Sequence, residues 1–547
     1  MIDKFINTFK DNICFILLLF LLGFLTGAIN NFLHESFISM ISKWAHGVCN
    51  AMLIAYFLAF IKDLFENKWW RRVISFLSIF VFSILFLIEC FLLIKYNNVF
   101  TPSIILVISE TTKNEALGYL KTFIDIKVGF VVVLYAAILF ILRKIRMPLQ
   151  RKILEYIMPL FFVCIMLGAC FFVYRNIQSM SVFTKALTPI QRIYTLYKTE
   201  IGDLNNIRYI LLSRKKDMGI KEKKVDKESV KNVVLVIGES LNRDHMSLYG
   251  YDLETNPLLE QLKDSSQLFI FKDVISPHAH TIASLQEVLS FHNYESKKKW
   301  YECKTLPEVM KENGYYNIWI SNQPGSGRSN AANLVAEISD TCVFAHGGYD
   351  EDLLPLLDTL LHKLPEKKFI VIHLAGSHIS YKEHYPPAFN KFTSADISRD
   401  IAEYQKETIA QYDNSVLYND YILYNIIERF VDKETVLIYL SDHGEEVYDY
   451  RNFIGHMEEN VSRYMLEIPL FVWLSPIFIN TYPEKIDRIE CSENLPYMTD
   501  DLMHTLLDLS SISGFDSTRS LVNPMYNKYR KRLFYNQDYD KVYKNIN

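Results

Sequence analysis

The sequence has no overall excess of positive charge. Lysine and arginine number 58 and aspartate and glutamate 62, so the formal net charge of the 547 residues is −4 at pH 7. Proteins that bind nucleic acids usually present a strong basic field. The charge balance therefore argues against a nucleic-acid partner. The sequence also contains no internal repeat and no low-complexity tract.

Cysteine spacings typical of metal sites are absent as well. There is no CxxC pair and no matching cysteine–histidine spacing. Of the eight cysteines, five fall in or beside apolar runs, namely Cys14, Cys49, Cys90, Cys164 and Cys170. Three remain, Cys303, Cys342 and Cys491, and three thiols permit at most one disulfide. We expect these cysteines to serve mainly as small apolar residues.

Apolar residues are concentrated in the first third of the chain. Five runs stand out: Ile13–Ala28, Val48–Ile61, Val73–Ile94, Val128–Leu142 and Ile153–Tyr174. A helix needs about 20 residues to cross the hydrocarbon core, so the second and fourth runs need their flanks. The sequence predicts an N-terminal five-helix transmembrane bundle over residues 1–174. The alternative for the first run is a cleaved signal peptide, but no small-residue cleavage pattern follows it and four more runs do.

Basic residues between the runs favour one orientation of this bundle. They lie before the first run, between the second and third, and between the fourth and fifth: Lys4, Lys10, Lys62, Lys68, Arg71, Arg72, Arg143, Lys144, Arg146, Arg151 and Lys152. These are alternate loops, as the positive-inside rule expects for a cytoplasmic N-terminus. An odd number of spans then exports everything after Tyr174. We therefore expect a multi-pass protein of a bacterial inner membrane with its C-terminal domain in the periplasm.

Residues 175–231 fit neither a span nor a compact domain. Leu187–Leu196 and Ile207–Leu212 mix aromatic and aliphatic residues with arginine, which suits helices lying in the lipid interface. Arg214–Lys231 carries charges of both signs and is predicted to be a solvated linker. These residues are expected to join the bundle to the exported domain.

From Asn232 onward, short apolar runs alternate with helical segments. Five buried strands are predicted, at Val233–Ile237, Ile318–Ile320, Phe369–Leu374, Val436–Leu440 and Leu470–Leu474. Helical stretches such as Asp352–His362 and Ile409–Phe430 lie between them, which is typical of an α/β sheet with crossover helices. Residues 232–547 are therefore predicted to form an exported α/β domain.

Ionisable residues follow the ends of several of these strands. They are Glu239, His378, Asp442, His443 and Glu445. Ligands of open α/β sheets collect at the carboxyl ends of the strands, and carboxylates combined with histidine suit a borderline divalent cation, zinc above all. Glu239, Asp442 and His443 supply three ligands. A catalytic zinc keeps a fourth position open for the reacting atom.

Either water or a side-chain hydroxyl can supply that reacting atom, and Thr281 is the candidate hydroxyl. It heads a helical pattern with Leu285, Val288 and Leu289 on one face, so its hydroxyl can lie where backbone N–H groups favour an anion. A metal cation lowers the pKa of a coordinated hydroxyl and makes it a covalent nucleophile. The alternative is that Thr281 merely caps the helix.

Five stretches form a recognisable set: VVLVIGESLNRDHMSLYGY at Val233–Tyr251, HTIAS at His280–Ser284, GSH at Gly376–His378, YDNS at Tyr412–Ser415 and SDHGEE at Ser441–Glu446. Together they resemble the bacterial phosphoethanolamine transferases, in the sulfatase-like branch of the alkaline phosphatase superfamily. The resemblance covers essentially the whole chain and implies an exported α/β domain of alkaline phosphatase/sulfatase type.

Position by position, the resemblance implies a role for each matching residue. Thr281 takes the phosphoethanolamine group, and Glu239, Asp442 and His443 hold one tightly bound zinc against it. His378 and His456 match positions that bind the donor phosphate or a second zinc, or that protonate the leaving group. Glu445 lies beside them as a further substrate-binding residue.

The resemblance also implies the partners. The donor is phosphatidylethanolamine, the acceptor is lipopolysaccharide, and both lie among membrane lipids. Lipid A-modifying members carry cysteine pairs around the nucleophile, where this sequence has Pro277 and Glu287. ISNQPGSGRSN at Ile320–Asn330 looks more like members that act on the core heptose, so the acceptor group is either core sugar or lipid A. Added ammonium groups would weaken the attraction of the envelope for cationic peptides.

Three other functions are also compatible with the sequence. A phosphoglycerol transferase or a sulfatase-like membrane hydrolase would share the metal and threonine chemistry, and a hydrolase that passes the phosphoryl group to water would differ only in its second half-reaction. A non-enzymatic membrane receptor or transporter needs no metal-activated hydroxyl, and ionisable residues expected inside a transporter are scarce.

Overall fold

The computed structural model describes residues 7–9, 11–102, 104–105, 108, 126–144, 188–200, 204–218, 229–323, 331–345, 348–363 and 365–544. These residues form two compact units, one before residue 204 and one from Leu204 onward. We call them the membrane unit and the catalytic unit.

Long apolar helices make up the membrane unit. Their bounds are α1 Ile13–His34, α2 Phe37–Asp63, α3 Lys68–Tyr96 and α4 Ile126–Lys144, followed by the shorter α5 Pro189–Glu200. Within the described residues, α1, α2 and α3 are long and apolar enough to cross a membrane. Helix α4 covers the fourth predicted span, and the fifth, Ile153–Tyr174, lies outside the described residues. The chain therefore has a membrane-spanning N-terminal part, while the count of five spans stays a prediction.

One ion pair is fully buried inside this unit. Arg192 of α5 donates from Nη2 to Glu89 Oε1 of α3 at 2.6 Å, and both side chains are completely buried. Thr26 of α1 donates a hydrogen bond to the second carboxylate oxygen. Buried charges need such partners because their desolvation is costly. The pair fixes α5, in the stretch predicted to be an interfacial helix, against α1 and α3.

A seven-stranded sheet forms the centre of the catalytic unit. Its strands run in the order β2-β10-β7-β1-β6-β4-β5. The bounds are β1 Asn232–Gly238, β2 Leu268–Phe271, β4 Tyr316–Ser321, β5 Thr341–Phe344, β6 Lys368–His373, β7 Thr435–Ser441 and β10 Leu470–Leu474. Strands β7, β1, β6, β4 and β5 are parallel, and β10 is antiparallel to both of its neighbours.

Small strand pairs and helices surround this sheet. The short strands are β3 Val274–Ile275, β8 Glu446–Val447, β9 Ile454–Gly455, β11 Tyr497–Met498, β12 Leu533–Phe534 and β13 Gln537–Asp538. The helices are α6 Leu204–Met218, α7 Pro257–Asp264, α8 Thr281–Val288, α9 Leu306–Glu312, α10 Ala331–Ala336, α11 Leu353–Lys363, α12 Glu403–Glu428, α13 Arg463–Leu466, α14 Pro476–Thr481, α15 Pro483–Glu490, α16 Leu502–Leu509 and α17 Tyr539–Val542.

All five predicted strands are present, whereas β2 and β5 were missed. Strands β1, β6, β7 and β10 are buried along their whole length, so their apolar runs are continuous. β2 and β5 are four-residue edge strands. A run of four residues at an edge leaves too little periodicity to detect.

One expectation outside the sheet needs correction, and one alternative that the sequence left open is decided. Arg214–Met218, assigned to a solvated linker, belongs to α6, where Arg214 Nε lies 3.1 Å from Glu308 Oε1. The mixed charges of this stretch therefore include residues that form ion pairs within the catalytic unit. Cys303, Cys342 and Cys491 are all free thiols. The one disulfide that their number permitted is therefore absent among the described residues.

Candidate metal centre

Glu239 leaves the carboxyl end of β1 in a narrow turn. The next residue, Ser240, has a φ of 57°, in the left-handed region that is costly for a residue with a Cβ. On the other side, a Cβ at Gly376 would lie 2.8 Å from both the backbone nitrogen and oxygen of Glu239. Glycine is therefore required at position 376, and the close approach fixes the backbone of Glu239.

Asp442 and His443 follow the neighbouring strand β7. Asp442 Oδ1 accepts hydrogen bonds from the backbone N–H groups of Ser240, at 3.1 Å, and His443, at 2.8 Å. Its Oδ2 is buried and has no hydrogen-bond partner among the residues that the structure describes. One oxygen thus holds the two strand ends together, and the other points into the site without a donor from the described part of the chain.

Thr281 enters the same site at the start of α8. Its Oγ1 lies 3.4 and 3.3 Å from the two carboxylate oxygens of Glu239 and 3.3 Å from His443 Nε2. The cap of α8 is His280, whose ring nitrogen accepts from the N–H of Ala283. The alternative that Thr281 merely caps the helix is therefore wrong, because its hydroxyl faces the carboxylates instead.

Two serines hold the segment around Thr281 against the end of β7. Ser276, before Thr281, and Ser284, in α8, both donate to the backbone oxygen of Asp442, at 2.6 and 2.5 Å. The position of Thr281 is thereby tied directly to the segment that carries Asp442 and His443.

The side chains of Glu239, Asp442 and His443 fit a divalent cation. Each offers one ligand atom, these atoms lie within 4.8 Å of one another, and all three residues are buried. His443 Nε2 lies 3.3 Å from Glu239 Oε1 and 3.4 Å from Asp442 Oδ2, beyond good hydrogen-bond range. Two buried carboxylates beside one imidazole also leave an excess of negative charge. The open Oδ2 and this charge are what a bound cation would satisfy.

The electrostatics show how strongly these groups interact. Burial lowers the pKa of His443, but the charges of Asp442 and Glu239 outweigh it and raise the pKa to about 10. Burial raises the pKa of Glu239, yet hydrogen bonding and charge from His443, with smaller contributions from His378 and His456, bring it well below its ordinary value. For Asp442, burial and the charge of Glu239 raise the pKa. Without a metal, a proton on His443 supplies part of the missing positive charge.

Glu445 and His456 form a second group beside the first. His456 Nδ1 lies 2.7 Å from Glu445 Oε2, and Tyr381 donates to Glu445 Oε1 at 2.7 Å. The rings of His443 and His456 are 4.1 Å apart, and His443, Glu445 and His456 also converge closely enough to hold an ion. Burial is the largest cause that raises the pKa of Glu445, to about 7.

His378 follows β6 and approaches the same groups. Its Nδ1 is buried and has no hydrogen-bond partner among the described residues, and its ring lies 6.0 Å from that of His384. The structure therefore gathers all seven residues singled out from the sequence at one end of the sheet. Their individual roles stay predictions.

Sequence reasoning missed several residues that shape this site. Gln323 Nε2 donates to Glu239 Oε2 at 3.3 Å and to the backbone oxygen of Leu374 at 3.1 Å. Tyr412 accepts from the N–H of Asn242 and donates to the oxygen of Ser240, so it holds the turn after Glu239. Both residues lie in stretches already quoted for the resemblance, ISNQPGSGRSN and YDNS, but their contacts depend on the folded chain.

A comparison with protein families agrees with this geometry. The profile of the Sulfatase family matches residues 231–512. Among characterised sequences, phosphoethanolamine transferase CptA of Salmonella typhimurium is 30% identical over 487 residues, which cover 82% of this chain and 83% of that protein.

Solved structures support the fold in both units. The crystal structure of the C-terminal periplasmic domain of EcEptC from Escherichia coli, in complex with Zn, is 31% identical and has a TM-score of 0.52, covering 58% of this chain and 97% of that one. The integral membrane protein lipooligosaccharide phosphoethanolamine transferase A from Neisseria meningitidis has a TM-score of 0.59 at 19% identity, covering 93% of this chain and 97% of that one. At that identity the second likeness concerns the fold alone.

Proposed function

Because this chain belongs to the sulfatase family and, within it, to the phosphoethanolamine transferases, we propose that it transfers phosphoethanolamine from phosphatidylethanolamine to lipopolysaccharide. The group passes through a covalent phosphothreonine-type intermediate on Thr281. Zinc is the proposed cofactor, with a second ion as a further possibility at His443, Glu445 and His456.

The observation that carries the proposal is the position of the Thr281 hydroxyl. Its oxygen lies within 3.4 Å of Glu239 and of His443 Nε2, and the same Nε2 lies 3.4 Å from the open oxygen of Asp442. A threonine with only a structural role would have no reason to face two buried carboxylates and an imidazole. The arrangement instead suits a nucleophile whose hydroxyl is activated by its surroundings.

Glu239, Asp442, His443 and Thr281 are the proposed zinc ligands, and the Zn complex of the EcEptC domain supports that choice of metal. When bound there, zinc supplies positive charge that lowers the pKa of the threonine hydroxyl and offsets charge on the phosphoryl oxygens.

In the first half-reaction, Glu239 and His443 orient the Thr281 hydroxyl, which releases its proton to solvent. The deprotonated Thr281 oxygen then attacks the donor phosphorus. The bond to diacylglycerol breaks, and His378 or His456 protonates the leaving oxygen. His456 is oriented for this by the contact of its Nδ1 with Glu445. A phosphorylated threonine then carries the ethanolamine group.

In the second half-reaction, an acceptor hydroxyl or phosphate attacks the phosphothreonine in line and regenerates Thr281. The same histidines can take up the proton of the acceptor, by microscopic reversibility. A reaction with a covalent intermediate of this kind should follow ping-pong kinetics.

The membrane unit suits substrates that are confined to a bilayer. We propose five spans over residues 1–174, interfacial helices and a linker over residues 175–231, and a periplasmic catalytic domain over residues 232–547, in a bacterial inner membrane. Within residues 175–231, Arg214–Met218 belong to helix α6 and not to the linker. Anchoring the catalytic domain beside its substrates replaces a three-dimensional search with positioning.

The acceptor group is proposed to be the lipopolysaccharide core rather than lipid A. Glu287 and Pro277 stand at the positions where lipid A-modifying members carry cysteines, and the described cysteines of the catalytic unit are free. Modification of either group would reduce the negative charge that attracts cationic peptides.

Intact-mass analysis tests the intermediate. The full chain in detergent, incubated with phosphatidylethanolamine, should gain the mass of one phosphoethanolamine group, located on Thr281 by peptide mapping. Thr281→Ala should lose both the adduct and transfer, because among the described hydroxyls only that of Thr281 contacts both Glu239 and His443 Nε2, whereas Ser240 Oγ donates to Glu239 alone, at 2.8 Å. Thr481→Ala, which removes an exposed helix hydroxyl, is the matched control and should keep both.

The mass of the adduct also separates the rival functions. A phosphoglycerol adduct would point to a phosphoglycerol transferase, and an adduct that only water removes would point to a hydrolase. If turnover of phosphatidylethanolamine proceeded with no adduct on Thr281, the covalent mechanism would be wrong.

A further inference from the structure

A cavity of about 550 Å³ lies on the catalytic unit, outside the metal centre. Two short stretches line it, residues 291–296 after α8 and residues 514–519 after α16, together with His504 of α16. Its volume falls within the range of about 300–1,000 Å³ that is usual for small-ligand pockets. None of the residues in the proposed reaction lines this cavity.

The walls of the cavity combine aromatic faces with fixed carboxylates. Phe291 and Phe515 supply the aromatic surface, and the ring of Phe291 lies 5.1 Å from that of His504. Arg519 pairs with Glu295 and also lies 3.7 Å from Asp516 Oδ2. Glu295 and Asp516 are 41% and 49% exposed, so one guanidinium holds two carboxylates in place while leaving them accessible.

His504 adds a donor to these acceptors. Its Nδ1 accepts a hydrogen bond from the backbone N–H of Asp516 at 3.0 Å, which places the ring proton on Nε2. Burial is the main reason that the pKa of His504 is lowered, so the ring is neutral near pH 7. Aromatic faces beside fixed carboxylates and a neutral donor match the apolar faces and hydroxyl groups of a sugar.

A run of three lysines, Lys297, Lys298 and Lys299, follows the stretch that lines one wall. All three are exposed, and they continue directly from Ser296 of the cavity wall. The only arginine of the wall, Arg519, is already paired with Asp501 and Glu295. The lysines that follow the cavity wall would therefore contact anionic groups of a ligand, and the residues that line the cavity would contact its hydroxyl groups.

The cavity is connected to the nucleophile through α8. Thr281 is the first residue of this helix, and the cavity wall begins at Phe291, three residues after the helix ends. The eight residues of the helix span about 12 Å. Beside the helix, Glu287 Oε1 lies 3.7 Å from the Nε2 of His278 and 3.9 Å from the Nε2 of His292. Both imidazoles are partly exposed, so a polar strip runs from the segment of Thr281 to the cavity.

We propose that this cavity is a binding subsite for the sugar portion of the acceptor, specific for a phosphorylated oligosaccharide. The proposal rests on the proposed function, since it assumes that the acceptor is a glycan. Phe291 and Phe515 contact sugar faces, Glu295 and Asp516 accept hydrogen bonds from hydroxyl groups, and the lysine run contacts phosphate. The subsite holds a part of the acceptor that lies roughly the length of α8 from the group that is modified.

The test uses the full chain in detergent and a soluble probe, deacylated lipopolysaccharide oligosaccharide, in phosphorylated and enzymatically dephosphorylated forms. Two variants change the subsite: the double charge reversal Lys297→Glu/Lys298→Glu and Phe515→Ala. Lys263→Glu, an exposed lysine of α7, is the matched control. For each protein, the Kd of the probe, the KM of the probe in transfer and the rate of adduct formation on Thr281 are measured.

The double reversal should raise Kd and KM for the phosphorylated probe by about tenfold, as expected from two lost charge contacts, and leave the dephosphorylated probe unaffected. Phe515→Ala should raise both constants for both forms of the probe. Adduct formation and the control should not change. Unchanged Kd and KM in both subsite variants would overturn the proposal. Absence of the adduct in the wild-type chain would instead contradict the proposed mechanism, and the Kd values would still decide the subsite.

Discussion

Two aspartate–histidine dipeptides in the catalytic unit, Asp244–His245 and Asp442–His443, show how differently the same residue types can be used. Both imidazoles are completely buried between carboxylates. His245 Nδ1 lies 2.6 Å from Asp413 Oδ1 and its Nε2 lies 3.0 Å from Asp449 Oδ1. In the metal centre the corresponding distances from His443 are 3.3 and 3.4 Å.

The partners of the two histidines explain this difference. Around His245, Tyr251 donates to Asp413 and Arg399 donates to Asp449, so the charges are bonded and balanced. Its two carboxylates bind opposite ring nitrogens and cannot converge on an ion. Around His443 the carboxylates converge on a single nitrogen and Asp442 Oδ2 has no donor. Carboxylates whose oxygens are all hydrogen-bonded, as in Asp413 and Asp449, indicate a structural cluster, and convergent carboxylates with an open oxygen indicate a ligand site.

The substitution Asp442→Asn tests the difference between the two clusters most directly. We expect zinc affinity to fall by more than about 100-fold and transfer to fall with it, since even outer-shell partners of a metal are worth 10- to 100-fold. The metal-free protein should be as stable as the wild type or more so, because the change removes a buried charge with an open oxygen. Metal analysis and urea unfolding in EDTA measure the two effects. Full zinc content in this variant would show that the ligand assignment is wrong.

Asp413→Asn should have the opposite pattern. It breaks the bonded pair at His245, which should cost about 3 kcal/mol of unfolding free energy, while the folded protein keeps its zinc. Urea unfolding and metal analysis again report both quantities. Asp432→Asn, at a side chain that is 82% exposed, is the control and should shift stability by less than about 0.5 kcal/mol. A loss of zinc without a loss of stability in Asp413→Asn would remove the distinction between the clusters.

A further expected effect is a pH dependence of stability. Burial lowers the pKa of His245, but Asp449 and Asp413 outweigh it and raise the pKa to about 10 in the folded protein. Since the unfolded value is about 6.5, the stabilisation is complete below pH 6.5 and is lost as pH rises toward 10. Urea midpoints of the wild type and His245→Asn, both in EDTA, should therefore converge between these values. A constant difference across this range would contradict the raised pKa.

The sequence predicted this sheet and its polar end because both depend on local patterns. Strands β1, β6 and β7 are buried on both faces, and Glu239, His378 and Asp442 come where their apolar runs stop. The rule that parallel strands end together at one edge was enough to group Glu239, Asp442 and His443. The assignment of Thr281 also needed its position at the start of a helical pattern and the family resemblance.

Contacts between distant segments could not be predicted in the same way. Nothing near His245 shows that it bonds to residues 413 and 449, and the two dipeptides are indistinguishable as local patterns. Likewise, Glu89 and Arg192 are separated by 103 residues before they pair. Tertiary contacts decide which buried histidine is fully hydrogen-bonded and which can bind a metal. These contacts are known only from the folded chain.

The three free thiols of the catalytic unit also have a practical consequence for how this protein is made. Where a small exported domain depends on disulfides, its yield is limited by oxidants and isomerases. The described part of this unit reaches its fold with Cys303, Cys342 and Cys491 reduced. Its maturation should therefore be insensitive to the redox poise of the compartment, and recombinant expression under reducing conditions should yield the same folded domain.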